Sequence, residues 1–274
     1  MRLGSIHVYP VKSTRGLQVA SAQVEPWGLA GDRRYMVVDA DGMVLTARDH
    51  PRMLAVAATP EGRGLKLTGP HADPLQVSPE PGTPTRRVRI WHDDVDAVDT
   101  GEEAAAWFTA LLGLPARLVW LDDPTRRPVD PAYGAPDDRV SFADAYPLLL
   151  ASTASLRRLN DWIAEGAVER GEEPPAPLPM TRFRPSVVVE DVPEPFAEDR
   201  WRRVRIGEVP FRAVKLCDRC VLTTIDPDTL AKGKEPIRTL SRHRRWDGKV
   251  WFAVNLIPDG TGTIRVGDPV TAEE

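Results

Sequence analysis

Through the first hundred residues the apolar positions recur mostly at a spacing of two, the period of a half-buried strand. Residues 6–8 alternate, and 17–24 follow Gly16 in the same manner. Residues 35–39 and 43–47 flank Asp41-Gly42, a dipeptide suited to the positive φ of a type I′ hairpin turn. A further pair is expected around a turn at 61–64, and 87–91 reads as one more strand. The period then changes. Ala105, Phe108, Leu111 and Leu112 make a helical stripe that Asp99 or Thr100 can cap and Gly113 can end. Residues 122–138 are rich in Pro, Asp and Arg with little periodicity, which predicts a domain connection or a long surface loop. Beyond it Ser152 caps a second helix, with Leu156, Leu159, Trp162 and Ile163 on one face, and 166–179 form a breaker-rich loop. Strands return at 186–190, 201–206, 209–216, 221–225, 250–256 and 263–266, with Gly207-Glu208 as a tight turn. The pattern predicts a mainly β chain with a few helices, of α+β type, built as barrels or sandwiches rather than as a parallel sheet. The aperiodic stretch divides it into domains 1–121 and 122–274.

Composition narrows the function. Hydrophobic residues at 42% and charged residues at 28% describe an ordinary globular protein. A formal net charge of −4 supplies no basic field for nucleic acid. No apolar run is long enough to span a membrane, and residues 1–10 lack the apolar core of a signal peptide. Two cysteines three positions apart cannot make a disulfide framework. A cytoplasmic, reducing location without a membrane partner is the expectation.

Those two cysteines are Cys217 and Cys220, in Cys217-Asp218-Arg219-Cys220 at the end of a strand-like run, with Lys215 and Arg219 beside them. Thiolate is the reactive and metal-binding form, and neighbouring cations favour it. A zinc site needs further ligands, and the five histidines (7, 50, 71, 92, 243) have no metal-ligand spacing. A thioredoxin-type pair should open a helix, whereas 221–225 is β-branched and strand-like. Two uses remain open: one cysteine ligates a metal cofactor while the other supports it, or both are small buried hydrophobes. Elsewhere, Lys12 and Ser13 lie in a glycine-ended loop, 9–16, that can offer amides, hydroxyls and a point charge to a phosphate, or can be a plain exposed turn. Arg33 and Arg34, and again Arg182 and Arg184, stand at strand mouths, where arginine clamps phosphate or forms surface ion pairs. The basic run 232–249 reads as a solvated loop or as a docking patch for an acidic electron carrier.

Seven segments together carry a resemblance: Tyr9-Pro10-Val11-Lys12-Ser13, Asp32-Arg33, Thr46-Ala47-Arg48, Phe183-Arg184-Pro185, Ala197-Glu198-Asp199-Arg200-Trp201, Cys217–Cys220 with Thr223-Thr224, and Gly262-Thr263-Ile264-Arg265-Val266-Gly267-Asp268. In order and spacing they resemble the MOSC-domain proteins, in the two-part group that includes the mitochondrial amidoxime-reducing component. The resemblance implies an N-terminal β-barrel-like domain, a C-terminal MOSC β-barrel and a molybdenum cofactor (Mo-molybdopterin) held between them. Cys220 matches the family's metal ligand and is the catalytic candidate. Lys12, Ser13, Arg33 and Arg184 match residues that hold the pterin and phosphate. Asp144, Ala145, Tyr146, Asp218, Arg219 and Asn255 match other pocket positions. Ser186 stands where relatives often carry asparagine, and Ala145-Tyr146 is bulkier than the family pattern. Family-level descriptions also carry a pyridoxal phosphate label. The implied activity is reduction of N-hydroxylated compounds, such as amidoximes and hydroxylamines, by two-electron oxygen removal. Electrons are expected from a separate protein of ferredoxin, flavodoxin or cytochrome type, because no ferredoxin domain follows residues 268–270. The rival readings are a non-catalytic cofactor carrier or sulfur-transfer module, and a structural β-barrel with inert thiols.

Overall fold

The structure, a computed structural model, describes residues 1–274 except His71 and Pro81; His71 of the histidine set therefore lies outside the described residues. The chain forms two compact units. One comprises Val8–Leu17 and Trp27–Ala145, the other Met1–His7, Gln18–Pro26 and Tyr146–Glu274. The boundary falls after Ala145, and the aperiodic stretch 122–138 belongs wholly to the first unit. The reason is Arg127, whose guanidinium is buried and hydrogen-bonded inside that unit. A stretch without periodicity is still ordered when one of its own cations is buried on the carbonyls of a following segment, here Ser141, Ala143 and Asp144.

The first unit contains a four-stranded antiparallel sheet in the order Tyr35–Val38, Arg117–Trp120, Asp93–Asp99, Thr85–Ile90. Val88, Ile90, Val95, Ala97, Met36, Val119 and Phe142 pack on its buried face. On the other face Arg89 pairs with Asp94 across the strands, the period-two division of a one-sided sheet. A second sheet of Ala57–Glu61, Gly64–Gly69 and Ala72–Val77 is an antiparallel meander. Helix α1, Glu102–Leu112, buries Ala105, Trp107, Phe108 and Leu111 and ends at Gly113 with φ 75°. Its N-cap is Gly101, not Asp99 or Thr100. The Asp99 carboxylate accepts from Gly101 N–H and the Thr100 hydroxyl donates to the Leu118 carbonyl, so neither side chain is left for the helix. The Asp41-Gly42 turn is present, but only Gly42 has positive φ, so it is not type I′. Asp39 organises it by accepting from the N–H groups of Asp41 and Met43.

The second unit is built on one large sheet ordered Val270–Glu273, Arg203–Ile206, Val209–Asp218, Lys249–Pro258, Leu148–Ser152, Val187–Glu190, Arg2–Val8. Leu148–Ser152 and Val187–Glu190 pair parallel, and helix α2, Thr153–Glu169, lies in the connection between them. Ser152 is its N-cap, accepting from Ser155 N–H at 3.1 Å. Leu159 and Ile163 of α2 pack with Phe183, Phe252 and Leu240, the last from helix α3, Ile237–His243. Residues 221–225 are not a strand. Val221–Thr224 is a 3₁₀ turn, because the Thr223 and Thr224 hydroxyls donate back to the carbonyls of Cys220 and Val221, a local bond that competes with a sheet ladder. The strand that leads into the cysteines, Val209–Asp218, has two irregularities in its pairing with Lys249–Pro258, between Ala213 and Lys215 and between Leu216 and Asp218. Such bulges bend a strand and re-aim its end.

Candidate functional site

In the first unit four cations gather around one short segment, residues 141–144. Four consecutive carbonyls of that segment accept from two buried cations. Arg127 donates to Ser141 O at 2.6 Å, Ala143 O at 2.5 Å and Asp144 O at 3.1 Å. Lys12 Nζ donates to Phe142 O at 2.9 Å. The Asp144 carboxylate then takes Lys12 on one oxygen and Arg48 Nη2, at 2.8 Å, on the other. Trp91 lies under both cations, with its ring 5.5 Å from Lys12 Nζ and 4.5 Å from the Arg48 guanidinium carbon. Arg33 is held separately by Asp32 at 2.5 Å, and its guanidinium stacks 4.3 Å over the Tyr9 ring. Gly16 is required here, since a Cβ would stand 2.4 Å from that ring.

Electrostatics follow from this geometry. Burial, opposed only in part by Asp144, pushes the Lys12 ammonium down from 10.5 to about 8, with Arg127 and Arg33 acting in the same direction as burial. Desolvation would raise the Asp144 carboxyl, but Lys12 and Arg48 outweigh it and hold the group well below the usual carboxylate range. Asp32 is engaged by Arg33 and Asp93 by Arg127, while the single carboxylate of Asp144 answers both Lys12 and Arg48. The segment carries surplus positive charge, the arrangement an anionic group requires.

In the second unit the cysteine turn is fixed by two arginines. Arg219 N–H donates to Val250 O at 2.7 Å, and its guanidinium donates to Cys217 Sγ at 2.9 Å and to Phe183 O at 2.8 Å. Its Nε is buried without a hydrogen-bond partner. Arg182 braces the turn after Cys220, donating to Thr223 O at 3.0 Å, Thr224 O at 3.2 Å and the Asp226 carboxylate at 2.9 Å. Cys217 and Cys220 are both half-buried and are not joined in a disulfide.

The sequence-expected residues thus fall into two sets. Lys12, Ser13, Arg33, Asp144 and Ala145 belong to the first unit; Tyr146, Arg184, Ser186, Asp218, Arg219, Cys220 and Asn255 belong to the second. Lys12 and Asp144, 132 residues apart, are in contact. Asn255 lies opposite Lys215 in the strand pairing and donates to Leu216 O. The Ser186 hydroxyl is fully buried and bonds Leu149 N–H. Asp218 is exposed, 3.9 Å from Lys249. Three of these residues, Ser13, Arg33 and Arg184, have positive φ, as does Trp91. Non-glycine residues in that region are uncommon and gather where function fixes the backbone. Arg127, Trp91, Tyr9 and Arg48 were not among the expected site residues, and Arg182 was expected as a phosphate clamp or surface ion pair. Arg182 is instead a buried brace. Tyr9 and Arg48 had a sequence signal, within Tyr9-Pro10-Val11-Lys12-Ser13 and Thr46-Ala47-Arg48; Arg127 and Trp91 had none.

These residues fit a molybdenum cofactor. A thiol is a suitable soft ligand, the cations around Asp144 suit a phosphate, and Arg219 Nε is a donor that the protein itself does not use. Among the described residues no cluster of three or more His, Cys, Asp or Glu is placed to hold a metal by protein ligands alone.

The cation cluster and the cysteine turn each lie in one of two β-rich units, and comparison with family models matches two parts of the chain. Residues 1–115 match the MOSC N-terminal beta barrel domain and 137–271 the MOSC domain. The chain belongs to the MOSC-domain family. It is similar to mitochondrial amidoxime-reducing component 1 of Homo sapiens, 33% identical over 98% of this chain and 82% of the relative. The Mus musculus protein of the same name is 33% identical over 98% of the chain and 81% of its own length. Mitochondrial amidoxime reducing component 2 of Rattus norvegicus is 34% identical over 98% and 82%. These names correct the cytoplasmic location expected from composition, because the relatives are named as mitochondrial proteins. Composition reports the solvent a fold needs, not the compartment. No helix among the described residues is long and apolar enough to cross a membrane.

Proposed function

We propose that this chain is a molybdenum-cofactor-dependent enzyme that reduces N-hydroxylated compounds, amidoximes foremost, with electrons from a separate carrier protein. The observation that carries the reading is the Cys217–Cys220 turn, braced by Arg182 and Arg219, in a chain similar along nearly its whole length to proteins named amidoxime-reducing components. An amidoxime that gains two electrons and two protons loses its N–O bond and leaves as amidine and water. The bound cofactor supplies that two-electron oxygen removal.

The chain's own residues bind and orient. Cys220 is the protein's metal ligand, and the brace from Arg182 to the carbonyls after it fixes where its sulfur stands. Cys217 is a supporting residue, tied to Arg219 rather than to the metal. Lys12, Arg33 and Arg184 anchor phosphate and pterin; Ser13, Ala145, Tyr146, Ser186, Asp218 and Asn255 complete the assigned contacts. Asp144 holds Lys12 and Arg48 in position.

Metal analysis of purified protein tests the reading. About one molybdenum per chain is expected, lost in Cys220→Ala and largely kept in Cys217→Ala. The loaded protein should convert benzamidoxime to benzamidine with reduced methyl viologen as donor. A loaded protein that fails this conversion would remove the reaction and leave the cofactor.

A further inference from the structure

In the first unit the hairpin between Thr85–Ile90 and Asp93–Asp99 has a tip of two residues, Trp91 and His92, since Ile90 and Asp93 are paired across the strands. Trp91 has φ 56°, whereas His92 is not in the positive region. Positive φ at the first central position alone is the pattern of a type II′ turn, where glycine is the usual residue. A bulky side chain there stands against a steric cost, so contacts beyond the turn must hold it.

Those contacts are of two kinds. Trp91 packs, partly buried, against the core that contains Met36, Val119 and Phe142. Its ring also meets two cations, 5.5 Å from Lys12 Nζ and 4.5 Å from the Arg48 guanidinium carbon, and the face of an indole attracts positive charge. The residues on either side fix the tip. Ile90 is fully buried, and Asp93 accepts from Arg127 Nε at 2.9 Å. One two-residue turn therefore serves three of the four cations: Lys12 and Arg48 through Trp91, and Arg127 through the adjoining Asp93.

Lys12 and Arg48 repel each other unless something between them answers both. Each bonds a different oxygen of the Asp144 carboxylate, and the Trp91 ring lies against both. Lys12 Nζ has three N–H donors, of which Phe142 O and Asp144 take two, so one remains for a ligand. An oxyanion presents neighbouring oxygens much as a carboxylate does. A pair of cations spaced to share Asp144 is therefore also spaced to share a phosphate.

We propose that Trp91 is a positioning residue of the anion site: its ring holds the Lys12 ammonium and the Arg48 guanidinium side by side, so that both meet one oxyanion, the phosphate of the cofactor. The inference rests on the cofactor reading above and adds Arg48 to the phosphate contacts. A tryptophan that only covers the core acts through its apolar surface, and another apolar side chain replaces it. The π face separates the two roles. Phenylalanine keeps that face and leucine does not, while both carry the same backbone strain at φ 56°.

Calorimetric titration of the cofactor-free full chain with sulfate at pH 7 tests this. Lys12→Met should abolish the binding and so locate it. Trp91→Leu should weaken it about tenfold, through the lost contact with two cations, and Trp91→Phe should stay within about threefold of wild type. Where Trp91→Leu does not fold, Trp91→Gly, which the turn accepts without strain, takes its place with the same expected loss. In the loaded protein Trp91→Leu should release the cofactor faster, read as molybdenum lost per chain on gel filtration, while Trp91→Phe retains it. The expected sulfate pattern in a chain that takes up no molybdenum would sink the cofactor reading and leave Trp91 as the positioning residue of an oxyanion site. Wild-type sulfate affinity in Trp91→Leu, equal losses in the Phe and Leu variants, no sulfate binding at all, or binding that survives Lys12→Met would each overturn the proposal.

Discussion

Lys12 is a buried cation whose charge is costly to the empty protein and useful to an anion. Its pKa is lowered from 10.5 to about 8, chiefly by burial. Between those values the unfolded chain binds the proton that the folded chain has released, so the Lys12 contribution to stability improves as pH rises from 8 toward 10.5. Anion affinity runs the other way, because only the ammonium attracts the ligand. Sulfate, whose charge is constant across this range, should bind the cofactor-free protein well at pH 7 and lose affinity above pH 8, approaching roughly tenfold per pH unit. Calorimetric titration from pH 7 to 9.5 checks this, and Lys12→Arg should bind with a flat profile. Lys12 was singled out by the family resemblance, since its glycine-ended loop alone reads equally as a plain exposed turn; the structure buries it. Arg127 was not legible, since an arginine in an aperiodic Pro- and Asp-rich stretch has the appearance of a surface residue until its four partners are known.

At the scale of elements, loops rather than strands position the site, and arginines fix the loops. Arg127 satisfies three carbonyls of 141–144, so Arg127→Met leaves buried acceptors unpaired and should cost about 3–5 kcal/mol, read by urea unfolding. Arg182→Met should release the Val221–Thr224 turn. Its mark is a faster reaction of Cys220 with an alkylating thiol reagent, monitored by mass, while far-UV circular dichroism stays near wild type. Helix α2 depends on Ser152, which caps Ser155 and also bonds the buried Glu198 carboxylate; Ser152→Ala should cost about 1–2 kcal/mol. That cap and the hydrophobic stripe of α2 were readable because both are local patterns. The turn after Cys220 was misread as a strand for the same reason. Val221, Thr223, Thr224 and Ile225 are β-branched, and only the back-bonding hydroxyls and the distant Arg182 make them a 3₁₀ turn.

At the scale of the whole molecule, the order of segments in the chain identified the family, while the partition into units depends on contacts that no local pattern carries. Val8–Leu17 brings Lys12 to Asp144, whereas the flanking Met1–His7 and Gln18–Pro26 belong with the C-terminal sheet. A group that binds only the folded state stabilises it by RT ln(1 + [L]/Kd), about 2.7 kcal/mol when the ligand is at a hundred times its Kd. For a protein of this size each kcal/mol moves the melting temperature by about 2–4 °C. Removing the cofactor should therefore lower the midpoint by about 5–10 °C in scanning calorimetry, because the cations around Asp144 are then left facing one another. Cys220→Ala should lose most of that difference by failing to hold the metal. Equal midpoints for loaded and cofactor-free protein would show that the cradle and the cysteine turn do not bind the group assigned to them.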